Sequence, residues 1–249
     1  MTELRAIFGE DADHYDRHRP GYPDALFDRL PAGRVLEIGC GTGKATVPLA
    51  ERGHRVVAVE LSPAMAAVAR RNLARFPGVE VVVGEFETWP LPAEPFDLVL
   101  AATAFHWLDP TIRTAKAAAA LRPGGTLAIV STHHVAGGTT DFFAEVQRCY
   151  ERFDPSTPPD LRLTPAAEIP EDTTDFAGWF DPVEFHRYVW DRTYTAPEYL
   201  ALLMTYSGHR ALAPDRRAGL FACITAMIDG NGGRITKRFM TELAMGQRH

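Results

Sequence analysis

The chain has 249 residues and a formal net charge of −6, with 46% hydrophobic and 23% charged residues. This composition is typical of a globular chain and argues against a nucleic-acid partner, because no excess of positive charge would attract a phosphate backbone. The N-terminus lacks an apolar signal core, and no apolar run reaches the length of a membrane span. We therefore expect a cytoplasmic protein with no membrane partner.

Three cysteines, Cys40, Cys149 and Cys223, are spread far apart along the chain. They are odd in number and form no Cys-x-x-Cys pair, so we expect neither a disulfide framework nor a zinc site. A reducing cytoplasm is consistent with this expectation.

The N-terminal segment is polar and aromatic over residues 1–22. Pro20 and Pro23 would interrupt a helix there. The pattern predicts a short helix, a turn, and a second helix over 24–30 that leads into the first strand.

A glycine-rich turn follows that strand. Residues 35–38 run into glycines at positions 39, 41 and 43, and an amphipathic segment follows over 44–52. Glycine adopts positive φ and has no Cβ, so a ligand can lie against the backbone N–H groups near the start of the helix. The sequence predicts a strand, a tight turn and a helix, with a ligand at the turn.

The glycine spacing excludes two common phosphate-binding motifs. A dinucleotide fingerprint needs a third glycine where the chain has Lys44, so a nicotinamide-dependent oxidoreductase is disfavoured. A P-loop needs a glycine where the chain has Ile38 and a hydroxyl where it has Ala45.

The remaining pattern, E-x-G-x-G-x-G over residues 37–43, resembles the first motif of the class I S-adenosylmethionine-dependent methyltransferases. The resemblance covers residues 34–132 most strongly. It implies S-adenosylmethionine as cofactor, S-adenosylhomocysteine as product, and a Rossmann-like methyltransferase fold. It also implies that an N-terminal lid over residues 1–30 covers the cofactor. The implied cofactor residues in these two segments are Arg19, Glu37, Gly39, Gly41 and Gly43.

The second strand is predicted over 55–61, and Ser62 and Pro63 supply an N-cap and a first helical residue for a helix that ends near position 75. Glu60 lies at the carboxyl end of this strand, where a carboxylate can accept both ribose hydroxyls of a nucleoside. We therefore predict that Glu60 and the adjacent Leu61 contact the cofactor.

The third strand is predicted over 79–85. The resemblance implies that an acidic residue at its end binds the adenine amino group and that the next backbone N–H meets the ring. Glu85 and Phe86 occupy these positions, although aspartate is commoner in the family than glutamate, and Glu87 is the alternative acidic residue.

The fourth strand is predicted over 96–103, and a loop over 104–110 follows it. Ligands bind at the carboxyl edge of open α/β sheets, so this loop should face the reaction centre. Its Phe-His-Trp sequence resembles the small-molecule branch that includes the trans-aconitate methyltransferases. The resemblance implies that the carbonyl of Ala102 contacts the methionine end of the cofactor. Trp107 is interpreted as core packing.

The rest of the chain predicts a helix over 111–121, a turn over 122–125 and a fifth strand over 126–132. Further strands are predicted over 183–195 and 235–245, with helices over 196–206 and 214–228 between them. The fold class is α/β, a doubly wound, seven-stranded and mostly parallel sheet.

We expect one methyltransferase domain over residues 1–249 with its cofactor-binding core at 34–132. A substrate cap is expected over 133–181 and 196–232, formed by insertions after the fifth and sixth strands.

Methyl transfer from a sulfonium requires above all that the acceptor atom is held in line with the leaving sulfur. A histidine near the site could add proton transfer. The candidates are His106, His133 and His134, which follow the fourth and fifth strands, and His209 of the cap. His106 is preferred first and His133 second. The candidate substrate contacts are Tyr15, Phe105, Tyr206, His209 and Arg210.

No metal is expected, because the adjacent His133 and His134 point to opposite faces of an extended chain and have no further ligand beside them. The predicted function is methyl transfer to an oxygen, nitrogen or carbon atom of a small molecule. The alternative is a non-catalytic accessory module that binds S-adenosylmethionine on the same fold.

Overall fold

The computed structural model describes residues 8–249. A seven-stranded sheet lies at its centre. The strands are β1 (Arg34–Ile38), β2 (Arg55–Glu60), β3 (Val79–Val83), β4 (Phe96–Ala102), β5 (Leu121–Gly138), β6 (Phe180–Thr195) and β7 (Arg234–Arg248).

Ten α-helices are assigned in residues 8–249. They are α1 (Ala12–His18), α2 (Asp24–Phe27), α3 (Thr46–Glu51), α4 (Pro63–Leu73), α5 (Arg113–Ala120), α6 (Thr140–Glu145), α7 (Gln147–Phe153), α8 (Ala196–Leu203), α9 (Ser207–Ala211) and α10 (Pro214–Gly230). The Ser62 side chain accepts a hydrogen bond from the backbone of Met65, and this N-cap starts α4 where the sequence predicts it.

The strand order is β3-β2-β1-β4-β5-β7-β6. Strands β1 to β5 pair in parallel, and β7 runs antiparallel to both β5 and β6. The predicted doubly wound, mostly parallel, seven-stranded sheet is confirmed.

Both faces of the sheet are buried. Alternate residues of β4 pack to opposite sides: Leu98 and Leu100 against α2, α3 and α4, and Val99 and Ala101 against α5. This double burial explains why the parallel strands are continuous apolar runs in the sequence.

The chain after β5 forms a third apolar cluster, which we call the cap. Side chains from α6 and α7 pack there with side chains from α8 and α10 and with Ile235 and Phe239 of β7. The two insertions therefore share one core. The N-terminal segment touches the cap as well, because a ring nitrogen of His14 lies 2.9 Å from the carbonyl oxygen of Ala201.

The fifth strand is longer than the sequence predicts. Phe96 pairs with Leu121 and Leu98 with Thr126, so the predicted turn over 122–125 loops out of the pairing. At its other end the strand continues to Gly138, because β7 pairs with it well beyond position 132. The predicted end at 132 is therefore wrong.

The expectation of no disulfide is also wrong. Cys149 on α7 and Cys223 on α10 form a disulfide with a Cα–Cα distance of 5.9 Å, and Cys40 is the free, buried cysteine. The two helices pack together in the cap, which brings side chains 74 positions apart into contact. The spacing of the two cysteines in the sequence does not predict this pairing.

No helix among the residues described is both long enough and apolar enough to cross a bilayer.

The disulfide should stabilise the cap. We predict that the double variant Cys149→Ser, Cys223→Ser has an unfolding free energy about 2 to 4 kcal/mol below that of the wild type, because a long loop is no longer closed in the unfolded chain. Denaturant unfolding with and without reductant measures this. Reductant should lower the wild-type midpoint to that of the variant. An unchanged wild-type midpoint together with two free thiols in peptide mapping would contradict the assignment.

Candidate functional site

A cavity of about 560 Å³ opens at the carboxyl ends of β1 to β4 and beside residues 131–134 of β5. This volume lies within the usual range for small-molecule and cofactor sites. The wall on the β2 and β3 side includes Glu60, Leu61, Gly84 and Phe86, and the wall on the β4 and β5 side includes Ala102, Thr103, Ser131, Thr132 and His134. The cavity therefore extends across the edge of five adjacent strands.

The glycine turn after β1 forms the floor of the cavity. Gly39 and Gly41 have φ angles of +68° and +57°, which L side chains rarely adopt. A Cβ on Gly39 would lie 2.7 Å from the Cβ of Ala104, the second residue after β4. Only glycine allows β1 to end this close to the loop that follows β4.

The Glu60 carboxylate connects β2 to this turn. One oxygen accepts a hydrogen bond from the N–H of Gly41 at 2.8 Å, and the other accepts from the N–H of Ser62 at 2.8 Å. Glu60 is 8% exposed and lines the cavity. Because two backbone donors fix the carboxylate, its remaining lone pairs have defined directions.

Glu37 on β1 lies beneath the turn and is 1% exposed. Its Oε2 atom has no hydrogen-bond partner among the residues described. Burial raises the pKa of Glu37 to about 7; the nearby Thr46 hydroxyl opposes the rise, and the Glu60 carboxylate adds to it. The cavity thus contains a buried carboxyl group with an unsatisfied oxygen.

The N-terminal segment closes one side of the cavity. The guanidinium carbon of Arg19 lies 4.5 Å from the ring centroid of Tyr206 and 5.9 Å from that of Tyr15. In residues 8–249 no carboxylate pairs with Arg19. The Tyr22 hydroxyl lies 3.2 Å from the carbonyl oxygen of Ala102, to which it donates. Among residues 8–249, Arg19 therefore has no carboxylate partner, and its charge can face an anionic ligand group.

Most of the sequence-predicted residues lie in the cavity wall. Those that do are Tyr15, Arg19, Glu37, Gly39, Gly41, Glu60, Leu61, Phe86, Ala102, His106 and Tyr206. Trp107, interpreted as core packing, lies there too. Their roles in binding stay predictions.

Gly43 and Glu85 do not line the cavity. A Cβ on Gly43 would lie 3.4 Å from Leu73, so this glycine serves the packing of the turn against α4. Glu85 is exposed, and its neighbours Gly84 and Phe86 line the cavity instead. Glu85 follows the end of β3 at Val83 and lies beyond the paired strand, so strand pairing does not set its position.

The structure does not place His133 in the cavity wall. Because β5 continues through both histidines, His133 pairs with Met240 and His134 pairs with Phe239, and successive side chains point to opposite faces. His134 lines the cavity, whereas the Nε2 atom of His133 is buried without a partner among the residues described. The geometry supports His134 in place of His133.

Three candidate substrate contacts lie outside the cavity wall. Phe105 is 2% exposed and packs in the core on the α5 side of the sheet. His209 lies 3.1 Å from the Tyr150 hydroxyl, and burial lowers its pKa to about 4. Arg210 donates to the Met204 carbonyl and pairs with Glu10 at 3.5 Å. The Arg210–Glu10 pair joins the cap to the N-terminal segment, whereas the contacts of His209 and Met204 lie within the cap.

Sequence reasoning includes His134 among the candidate bases but ranks His133 above it, and it misses Thr132 and Lys44. His134, Thr132 and Lys44 all line the cavity. The i, i+2 spacing of Thr132 and His134 is the signal that could have found them, since alternate residues of a strand share a face. It was missed because the strand was predicted to end at 132.

The residues present fit S-adenosylmethionine, which belongs to the family implied by the glycine motif. The unsatisfied Glu37 oxygen suits the ammonium group of an amino acid, the fixed Glu60 carboxylate suits ribose hydroxyls, and Arg19 suits a carboxylate. The turn without Cβ atoms leaves room for the ligand between them. In the part of the chain described, no group of three or more His, Cys, Asp or Glu side chains is placed to hold a metal ion.

Glu37 should make the ligand-free protein lose stability as pH rises. The folded protein keeps the Glu37 proton to about pH 7, whereas the unfolded chain loses it near pH 4.5. Between these values the folded state binds more protons, so this group lowers the unfolding free energy by about 3 kcal/mol as pH rises.

Denaturant unfolding at pH 4.5 to 7.5 measures this effect in the wild type and in Glu37→Gln, which should lack the decrease. Glu80→Gln, which changes an exposed glutamate of β3, is the matched control and should behave like the wild type. The same pH dependence in all three proteins would contradict the assignment.

Comparison with known proteins identifies the family. Residues 35–125 match the methyltransferase domain family. An uncharacterized methyltransferase of Mycobacterium tuberculosis is 44% identical over 131 residues, which are 51% of this chain and 53% of the relative. The chain thus spans about half the length of this relative. An uncharacterized methyltransferase of Geobacillus kaustophilus is 35% identical over 147 residues, 52% of this chain and 67% of the relative.

A solved structure described as a type II methyltransferase from Anaeromyxobacter dehalogenans is 26% identical, with a TM-score of 0.60 over 93% of this chain and 97% of that one. The shared sequence lies on the strands that build the cavity, and the shared fold extends over the cap. From the matched domain, these relatives and the common fold, it follows that the chain belongs to the class I S-adenosylmethionine-dependent methyltransferases.

Proposed function

We propose that this chain binds S-adenosylmethionine in the cavity at the carboxyl edge of the sheet and transfers its methyl group to a small-molecule acceptor. The observation that carries the proposal is the pair of carboxylates at the ends of neighbouring strands. Glu37 has an unsatisfied buried oxygen, and Glu60 is fixed by two backbone donors. Together they match a ligand with an ammonium group at one end and a ribose further along.

The strand order divides the cavity into two halves. The β2 and β3 side has the carboxylate Glu60 and the apolar residues Leu61 and Phe86, which suit an adenosine. The β4 and β5 side has Thr103, Thr132 and His134 beneath the cap, and this side is left for the acceptor. Neighbouring strands lie about 4.8 Å apart, so five strands span roughly 19 Å, enough for cofactor and acceptor side by side.

When bound, S-adenosylmethionine supplies an electrophilic methyl group on a positively charged sulfur. The protein's task is to hold the acceptor in line with that sulfur and to exclude water, which can contribute about 7 to 11 kcal/mol for well-oriented reactants. Tyr22 ties the N-terminal segment to the end of β4, and Arg19 ties it to Tyr206 of the cap. These contacts enclose the acceptor side.

The enclosed shape of the cavity supports a small molecule as the methyl acceptor. The cavity lies between the sheet edge and the cap and is lined by aromatic rings, which include Tyr15, Tyr22, Trp107 and Tyr206. A net charge of −6 gives the chain no general attraction for nucleic acids.

Transfer of radiolabel from methyl-labelled S-adenosylmethionine into a metabolite extract tests the proposal. The wild type should label small molecules. Gly41→Ala should lower cofactor affinity by about tenfold or more, or about 1.4 kcal/mol, because the substitution strains a left-handed residue whose N–H holds Glu60. The label transferred at limiting cofactor should fall in proportion.

Gly53→Ala is the matched control. Gly53 also has a positive φ, of +81°, and a Cβ there would have no neighbour within 4 Å. It lies in the turn between α3 and β2, outside the cavity wall. This variant should keep cofactor affinity within about twofold of the wild type, which separates backbone strain from damage to the site. Calorimetry that shows equal affinities in both variants would overturn the site, and cofactor binding without any label transfer would favour the accessory module.

A further inference from the structure

A tyrosine–histidine pair lies at the β5 end of the cavity. The Tyr206 hydroxyl oxygen lies 3.1 Å from the Nε2 atom of His134, and the two rings pack edge to face at 5.3 Å. Both residues line the cavity. His134 also packs edge to face on Phe239 of β7 at 5.5 Å. The imidazole is therefore held from two sides, with one ring nitrogen directed at a hydroxyl in the cavity wall.

The other histidines are placed less well for proton transfer. His106 lines the cavity and is exposed, as His134 is, but its ring lies against Trp107 at 5.0 Å, whereas the ring nitrogen of His134 lies within hydrogen-bond distance of the Tyr206 hydroxyl. His133 and His209 are not in the cavity wall. His134 thus combines access to the cavity with a fixed orientation.

The charges around His134 keep its imidazole neutral. The groups that face it come from β7, from the chain after α1, from α9 and from its own strand, and all carry or can carry positive charge. His134 is open to the cavity, but the protein packed around its ring and four neighbouring basic groups hold its pKa well below the ordinary value. The four groups are Lys237, Arg19, His209 and His133. Burial also raises the pKa of Tyr206, so its hydroxyl is protonated at neutral pH. Tyr206 can therefore donate its proton to an unprotonated Nε2.

We propose that Tyr206 and His134 accept the proton of a hydroxyl-bearing acceptor, such as a phenol or an enol, during methyl transfer. This inference rests on the function proposed above. The acceptor oxygen forms the new C–O bond with its lone pair, and the C–S bond breaks with its electrons passing to sulfur. The hydroxyl proton passes to the Tyr206 oxygen while the Tyr206 proton passes to Nε2 of His134.

This route keeps the charge of the cavity constant. The sulfur loses its positive charge as the imidazole gains one, so the cationic surroundings of His134 do not oppose the overall step. An acidic hydroxyl suits a base of lowered pKa, because its proton is released more easily. A protonated amine is disfavoured as acceptor, because Arg19 lies against Tyr206 and no carboxylate faces His134 among the residues described.

Methyl-label transfer by His134→Gln and Tyr206→Phe tests the pair. Both variants should bind S-adenosylhomocysteine within about twofold of the wild type, and kcat should fall by about 10²- to 10⁴-fold. His186→Gln changes a histidine of the edge strand β6, outside the cavity wall, and should keep wild-type rates.

The pH profile separates proton transfer from a structural role. Wild-type kcat/KM should stay high through the ordinary histidine range near pH 6.5 and fall only below it, and His134→Gln should lack this acidic limb. An unchanged limb in the variant would overturn the proposal.

Two further readouts do not depend on the rate. Tandem mass spectrometry of the labelled products should place the methyl group on oxygen, and a methyl group on nitrogen or carbon would overturn the inferred acceptor class. In nitrogen NMR of the histidine rings, His134 should stay neutral at pH 6 to 8 and its Nε2 signal should shift in Tyr206→Phe. A charged His134 at pH 7, or an Nε2 signal that does not move, would overturn the pair.

If the proposed function itself were wrong, the experiments would give a different set of results. In that case the wild type itself would transfer no label or would fail to bind S-adenosylmethionine in calorimetry. Failure of this inference alone would leave cofactor binding and label transfer intact in the wild type.

Discussion

A buried carboxyl group with an unsatisfied oxygen lies where the sheet meets the glycine turn. Removing a carboxylate from water without pairing it costs several kcal/mol, and proteins normally avoid this cost or keep the group protonated. Glu37 takes the second course, since burial raises its pKa to about 7. A cationic ligand group at this point would satisfy the oxygen and stabilise its charge. The ligand-free fold therefore carries a local cost that a specific ligand can remove.

The rest of the site follows from the order of the strands. Because β1 lies between β2 and β4, the Glu37 carboxylate is flanked by Glu60 on one side and by the loop after β4 on the other. Gly39 permits the approach to Ala104, and Gly41 donates its N–H to Glu60. The cap and the N-terminal segment then enclose the half of the cavity beside β4 and β5. The part of the cavity proposed for the cofactor is thus made by the ends of β1 to β3. The part proposed for the acceptor is made by the loop after β4, by β5, by the N-terminal segment and by Tyr206 and Ser207 of the cap.

The cavity-lining residues at the ends of β1 and β2 could be predicted from sequence because their signals are local. The apolar run before Gly39 marks β1, and Glu60 is found by its position at the end of the next strand. The acceptor half depends on pairing between distant segments. The local sequence favours His133 over His134 because it does not show where β5 ends. Pairing with β7, about 100 positions later, sets that end. The Cys149–Cys223 disulfide has the same origin, since it depends on how α7 packs against α10.

Calorimetry of S-adenosylmethionine binding at pH 6, in two buffers with different ionisation enthalpies, tests the central claim most directly. At this pH the Glu37 carboxyl group is mostly protonated in the ligand-free protein, and pairing with the ligand's ammonium group should remove that proton. The account predicts release of about one proton per molecule bound by the wild type and almost none by Glu37→Gln. Tight binding by the wild type with no proton release, or equal release by both proteins, would contradict it.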